Sequence, residues 1–182
     1  MARYPVEKYA SVELNQVAFP KTGMVVSQVP LGDEYTEAAP CENGMWILAD
    51  KSLGVIKSPA AITNVPIGIV YTTEKEYDMN HYGLKTFGRK VAGDYPRVGL
   101  LGVGDTITSN CFELGTGVAN ADAIDTALAA KTAIYVVPTA NKSVPTLTTT
   151  AHAATSTYGK VVKQYTMPNG EKGVQYQIVH VA

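Results

Sequence analysis

No segment of this chain gathers His, Cys or paired carboxylates at a spacing that suggests a reactive centre. The three histidines, His81, His152 and His180, stand far apart, whereas zinc needs three or four converging ligands. No metal site and no catalytic residue are therefore expected. The two cysteines, Cys41 and Cys111, have no CxxC partner. A disulfide between them is conceivable, but sequence cannot place their Cα atoms within bridging range; two buried thiols in a reducing compartment are the preferred reading. Gly99, Gly102 and Gly104 do not follow G-x-G-x-x-G, and they lead into strand-like sequence rather than a helix. The geometry that cradles a phosphate is missing. A nucleophile elbow, a P-loop and an HExxH motif are absent as well, and no cofactor is expected.

Charge is also scarce. Charged residues make up 17% of the chain and the net charge is -1, which leaves no electrostatic footprint for nucleic acid. Glu74, Lys75 and Glu76 mix signs, and Lys85, Arg89 and Lys90 form the densest basic group. Both read as solvated surface. No apolar run approaches membrane-spanning length, so no membrane partner is expected. The N-terminal segment lacks the apolar core of a secretion signal. On that expectation, the Asn141-Lys142-Ser143 sequon is a coincidence rather than a glycosylation site.

With 46% hydrophobic residues, wholesale disorder is excluded, and 182 residues suit one domain with a true core. The polar surface must then be rich in Thr, Ser, Asn and Gln, which dehydrate more cheaply than Lys and Glu when chains pack together. Eleven Tyr against three Phe and a single Trp point the same way, because Tyr offers a large area with a polar tip. Half-exposed strands favour Tyr and Thr for their own reasons. Trp46 is expected in the core or at a contact centre.

From Thr22 onward the chain reads as short strands joined by turns at sandwich or barrel spacing, with no βαβ rhythm. Strands are expected in the stretches 22–29, 44–50, 54–60, 65–73, 95–103, 106–114 and 132–140, the last ended by Pro138. Asn43-Gly44 is a strong hairpin-turn signal. One short helix is expected near 120–131, capped by Asn120 or Asp122, with Ile124 and Leu128 sharing a face. The Thr-rich 141–157 stretch reads as a flexible surface loop or an edge strand. A β-hairpin is expected over 158–182, turning at Met167–Gly170 with Val174, Tyr176 and Ile178 on its inner face. Asp94, Asp105 and Glu113 are carboxylates that could line a cavity, although each also fits a turn or strand end.

The fold class expected is therefore all-β, a mainly antiparallel barrel or sandwich. Residues 1–20 form an extended N-terminal arm and 21–182 a single β-rich domain, with a subdivision conceivable near 116–131. A first edge strand of the domain is the competing reading of the arm.

The segments 66–77, 95–111 and 161–179 resemble head proteins of tailed bacteriophages that infect Gram-positive bacteria. The phrases GDTITSN and YTMPNG carry much of that likeness. The resemblance implies a non-enzymatic capsid decoration or cement protein, made in the host cytoplasm and carried on the virion exterior. Its implied partners are the major capsid protein and further copies of itself, a trimer being one arrangement. On this reading Tyr4, Val6, Tyr9, Val12 and Leu14 of the arm would make the capsid or subunit contact. Two other readings are another virion part, such as a head fibre base or tail subunit, and a carbohydrate-binding module or glycan-active enzyme using exposed Tyr and Trp46.

Overall fold

A computed structural model describes residues 2–4, 10–48, 54–59, 67–72, 90–152, 156–167 and 170–181. Twelve strands and two helical segments occur among them. They are β1 (Ala2–Arg3), β2 (Val12–Gln16), α1 (Phe19–Thr22), β3 (Val25–Val26), β4 (Trp46–Leu48), β5 (Ile67–Val70) and β6 (Val98–Leu100). There follow β7 (Thr106–Ser109), β8 (Glu113–Leu114), α2 (Ala121–Ala129), β9 (Tyr135–Thr139), β10 (Lys142–Thr148), β11 (Tyr158–Thr166) and β12 (Lys172–His180). The fold is all-β and sandwich-like, and the larger sheet does not close into a barrel.

The larger sheet has eight strands in the order β1-β8-β10-β9-β11-β12-β7-β2, antiparallel throughout except for the β8–β10 pair. Its shape follows from chain connectivity. β7 and β8 lie five places apart, which in a flat sheet would separate them by about 24 Å. Only Asn110, Cys111 and Phe112 join them, a link that reaches at most about 15 Å. The sheet must therefore curl back on itself.

The smaller sheet, β3-β6-β5-β4, is fully antiparallel and has a core on each face. Trp46, Ile67 and Ile69 join Tyr176, Ile178, Ile107 and Phe112 in the main core enclosed by the curled sheet. Ile47, Val70 and Val98 join Cys41, Cys111, Leu31 and Ile56 in a second core. Burial on both faces explains why β5 reads as an unbroken apolar run rather than an alternation. Phe19 of α1 lies across Gly99 of β6, where any Cβ would run into its ring.

The terminal hairpin forms as the alternation requires. Val174, Tyr176 and Ile178 are fully buried while Gln177 is exposed. β11 pairs with β12 through two register irregularities, one between Tyr158 and Gly159 and one between Val161 and Lys163. Met167 N donates to Glu171 O at the turn, and residues 168 and 169 lie outside the described residues. Helix α2 begins at Asn120, whose Oδ1 accepts from Ala123 N at 2.9 Å. Ile124 is its buried residue, and Leu128 is half-buried on the same side.

Several expectations need correction. The 141–157 stretch contributes an interior strand: β10 lies between β8 and β9, with residues 145–148 buried. Pro145 cannot donate to a ladder, and it sits where the β10–β9 register shifts between Lys142 and Thr146. β9 runs through Pro138 to Thr139 instead of ending there. The single strand expected over 106–114 is two, because the chain breaks direction at 110–112. Asn43-Gly44 does turn, with Gly44 at φ 87°, but it leads from an isolated bridge at Cys41 into β4 and joins no two-strand hairpin.

The N-terminal residues supply both edges of the larger sheet, β1 against β8 and β2 against β7. Tyr4 is 1% exposed, and Tyr4 N donates to Phe112 O at 2.8 Å. Its ring packs edge-on to Phe112, which packs edge-on to Tyr176, so an aromatic chain runs through the main core. A side chain so placed cannot present a contact surface to another molecule.

Candidate functional site

The described residues form a cleft of about 380 Å³ between the loop that precedes β4 and the β8–β10 pair. Ala38, Ala39, Pro40, Met45 and Val144 give it apolar walls. Glu34, Glu42 and Glu113 bring carboxylates, and Ser58, Ser143 and Lys142 bring further polar groups. Its volume falls within the range of small-ligand pockets.

Each of these carboxylates already holds a donor. Glu34 Oε1 accepts from Ser58 N at 2.6 Å and Ser58 Oγ at 2.7 Å, fastening the 31–37 turn to the segment after Gly54. Glu42 Oε2 accepts from the buried Ala10 N at 3.1 Å. Lys142 Nζ donates to both oxygens of Glu113 at 2.8 Å, a pairing at the cleft rim with Lys142 half-exposed. Tyr35 shares a 2.6 Å hydrogen bond with Ser143 Oγ, and burial pushes its phenol well above the usual range. These bonds tie three distant stretches together. The same bonds give these carboxylates a part in holding the cleft walls together.

The other concentration of polar side chains surrounds Ser156. His152 Nε2 hydrogen-bonds Ser156 Oγ, and His180 Nδ1 donates to the Ser156 carbonyl at 2.9 Å. The Tyr158 ring stacks on His180 at 5.8 Å and meets His152 edge-on at 5.7 Å. Burial lowers the pKa of His152. Ser156 is only 2% exposed; its hydroxyl is held by His152, and its carbonyl, held by His180, fastens it to the hairpin.

The expected carboxylate group does not assemble. Asp94 Oδ2 accepts from Val91 N, closing its own turn. Asp105 accepts from Ala18 N and Gly102 N, joining α1 to the turn before β7. Glu113 alone reaches the cleft. Among the described residues no three His, Cys, Asp or Glu side chains come together as a metal site, and no helix is long and apolar enough to cross a membrane. His81 and the charged residues 74–76, 85 and 89 lie outside the described residues. Cys41 and Cys111 are both buried free thiols in the second core.

Of the expected contact residues, Tyr4 is in the core, while Val12 and Leu14 are half-buried against it from the β2 edge. Val6 and Tyr9 lie outside the described residues. The cleft escaped sequence reading because residues 34–45, 58, 113 and 141–144 share no local spacing; only the curl of the sheet brings them together. No protein-family model, curated protein or solved structure matches the chain.

Proposed function

We propose that this protein is a virion structural protein that decorates and stabilises a capsid by binding the lattice of its major capsid protein. One structural observation carries the reading. Among the described residues, four large apolar side chains stand exposed outside the two cores: Met24 at 47%, Tyr95 at 63%, Val103 at 69% and Val162 at 54%. Met24 flanks β3, Tyr95 precedes β6 and Val103 tips the β6–β7 turn, while Val162 sits on β11 itself. Where such groups meet a partner they can serve as its apolar anchors. The likeness of 66–77, 95–111 and 161–179 to phage head proteins supports the same reading. The bonds that Glu34, Glu42 and Glu113 accept support a structural part for those carboxylates.

The test is co-sedimentation of the purified chain with particles assembled from a major capsid protein of a tailed bacteriophage that infects a Gram-positive host. Saturable binding is expected, together with a rise in the temperature at which the particles break. Binding to a glycan panel with no affinity for particles would overturn the proposal in favour of a carbohydrate-binding module.

A further inference from the structure

The hairpin and the cleft carry complementary features on different parts of one chain. On β11 the register irregularity between Val161 and Lys163 adds a residue to the strand, and Val162 stands out at 54% exposure. A bulge re-aims a side chain in this way. Lys160 and Lys163 flank it, both exposed. Lys160 Nζ lies 5.6 Å from the centre of the Tyr135 ring, and Lys163 Nζ lies 5.5 Å from that of Tyr165. Neither lysine has a carboxylate within ion-pair distance among the described residues. The result is an apolar knob between two positive charges that are already placed over rings.

The cleft is the counterpart. Its apolar walls are Ala38, Ala39, Pro40, Met45 and Val144, and the exposed Glu34 also lines it. Asp33 and Glu37, both exposed, extend the negative charge along the same loop. Among the described residues none of these three is paired with a lysine or arginine, and Lys142 is already matched by Glu113. No β11 residue lines the cleft, so knob and socket are separate surfaces.

We propose that the Val162 bulge of one copy docks in the cleft of a second copy, with Lys160 and Lys163 facing Asp33, Glu34 and Glu37. The contact is heterologous, so it propagates head to tail and closes into a ring only where the rotation between copies permits. Charge complementarity selects the occupant: the basic pair on β11 and the acidic 33–37 loop belong to one chain yet form no ion pair with each other within it. This contact does not depend on the capsid reading. Capsid binding by a strictly monomeric chain would remove this proposal and leave that one, and self-association without capsid binding would do the reverse.

The experiment measures the mass of the full chain by sedimentation velocity, at about 0.01 M and about 1 M salt, where the screening length falls from about 30 Å to about 3 Å. Species heavier than the 19.4 kDa chain are expected at low salt, with association weakened about tenfold or more at high salt. Val162→Asp, the pair Lys160→Glu with Lys163→Glu, and the pair Asp33→Lys with Glu37→Lys should each give a monomer that melts like the parent. Mixing the two charge-reversed proteins should restore association, because the unaltered hairpin of one meets the unaltered loop of the other and the two reversed surfaces are also complementary. A parent that is monomeric at low salt, oligomers indifferent to these substitutions, or a mixture that stays monomeric would each overturn the proposal.

Discussion

Trp46 Nε1 donates a hydrogen bond to Tyr176 Oη at 3.2 Å, with both side chains fully buried and their rings 6.1 Å apart. Trp46 belongs to the smaller sheet and Tyr176 to the terminal hairpin, so this bond ties the two sheets together inside the main core. Trp46→Phe should destabilise the fold by about 1–3 kcal/mol through a buried hydroxyl losing its partner. Tyr176→Phe should cost a similar amount, and the double variant should cost less than the sum of the two. Urea unfolding of the four proteins gives the coupling energy, and strict additivity would mean the bond contributes nothing.

Gly99 is required by sterics. The Phe19 ring fills the space a β-carbon would occupy, so Gly99→Ala should cost about 1–3 kcal/mol through overpacking. Combining it with Phe19→Leu should recover part of the loss, as read by thermal melting. A Gly99→Ala protein with parental stability would show that α1 does not lie over β6.

Lys131 follows α2 at φ 56°, in the left-handed region. Thr132 N donates to Ala127 O and Lys131 N to Leu128 O, the bonding of a helix end that favours glycine. Lys131→Gly should therefore stabilise the protein by up to about 1 kcal/mol, and the melting temperature should rise.

Burial depresses the pKa of His152, so the folded state favours the neutral ring. Between the depressed folded pKa and the ordinary value near 6.5, the unfolded chain binds more protons than the folded one. The stability that depends on neutral His152 is complete above about pH 6.5 and declines as pH falls below it. His152→Gln should flatten that part of the stability–pH curve. Denaturant midpoints taken across the range provide the comparison, and an unchanged slope would place the titration elsewhere.

Cys41 and Cys111 are both 0% exposed, and burial raises the Cys41 thiol far above its ordinary range. Since the thiolate is the reactive form, neither should react with an aromatic disulfide reagent while the protein is folded. Both should react after denaturation. Fast labelling of the native protein would mean that the second core opens readily.

The residues near the end of the chain were legible because their pattern is local. Val174, Tyr176 and Ile178 alternate with Gln175 and Gln177, and a period of two allows only one face to be buried. Asn120 and Ile124 announced α2 for the same reason, since capping and helical periodicity act within a turn or two. By contrast, Tyr4 gave no sign that it belongs to the core. Its burial depends on Phe112, more than a hundred residues away, and on the curl imposed by the short β7–β8 link.

The all-β class, the terminal hairpin and the short helix could be read from the sequence alone, because each rests on spacing or composition. Tertiary structure decided the rest. It turned a Thr-rich stretch into an interior strand, buried the N-terminal tyrosine, and gave the smaller sheet a core on both faces. It also assembled Glu34, Glu42, Tyr35 and Lys142 around one cleft and lifted Val162 out of β11. Those outcomes depend on which strands become neighbours, and that choice rests on long-range burial and chain reach, which no local pattern encodes.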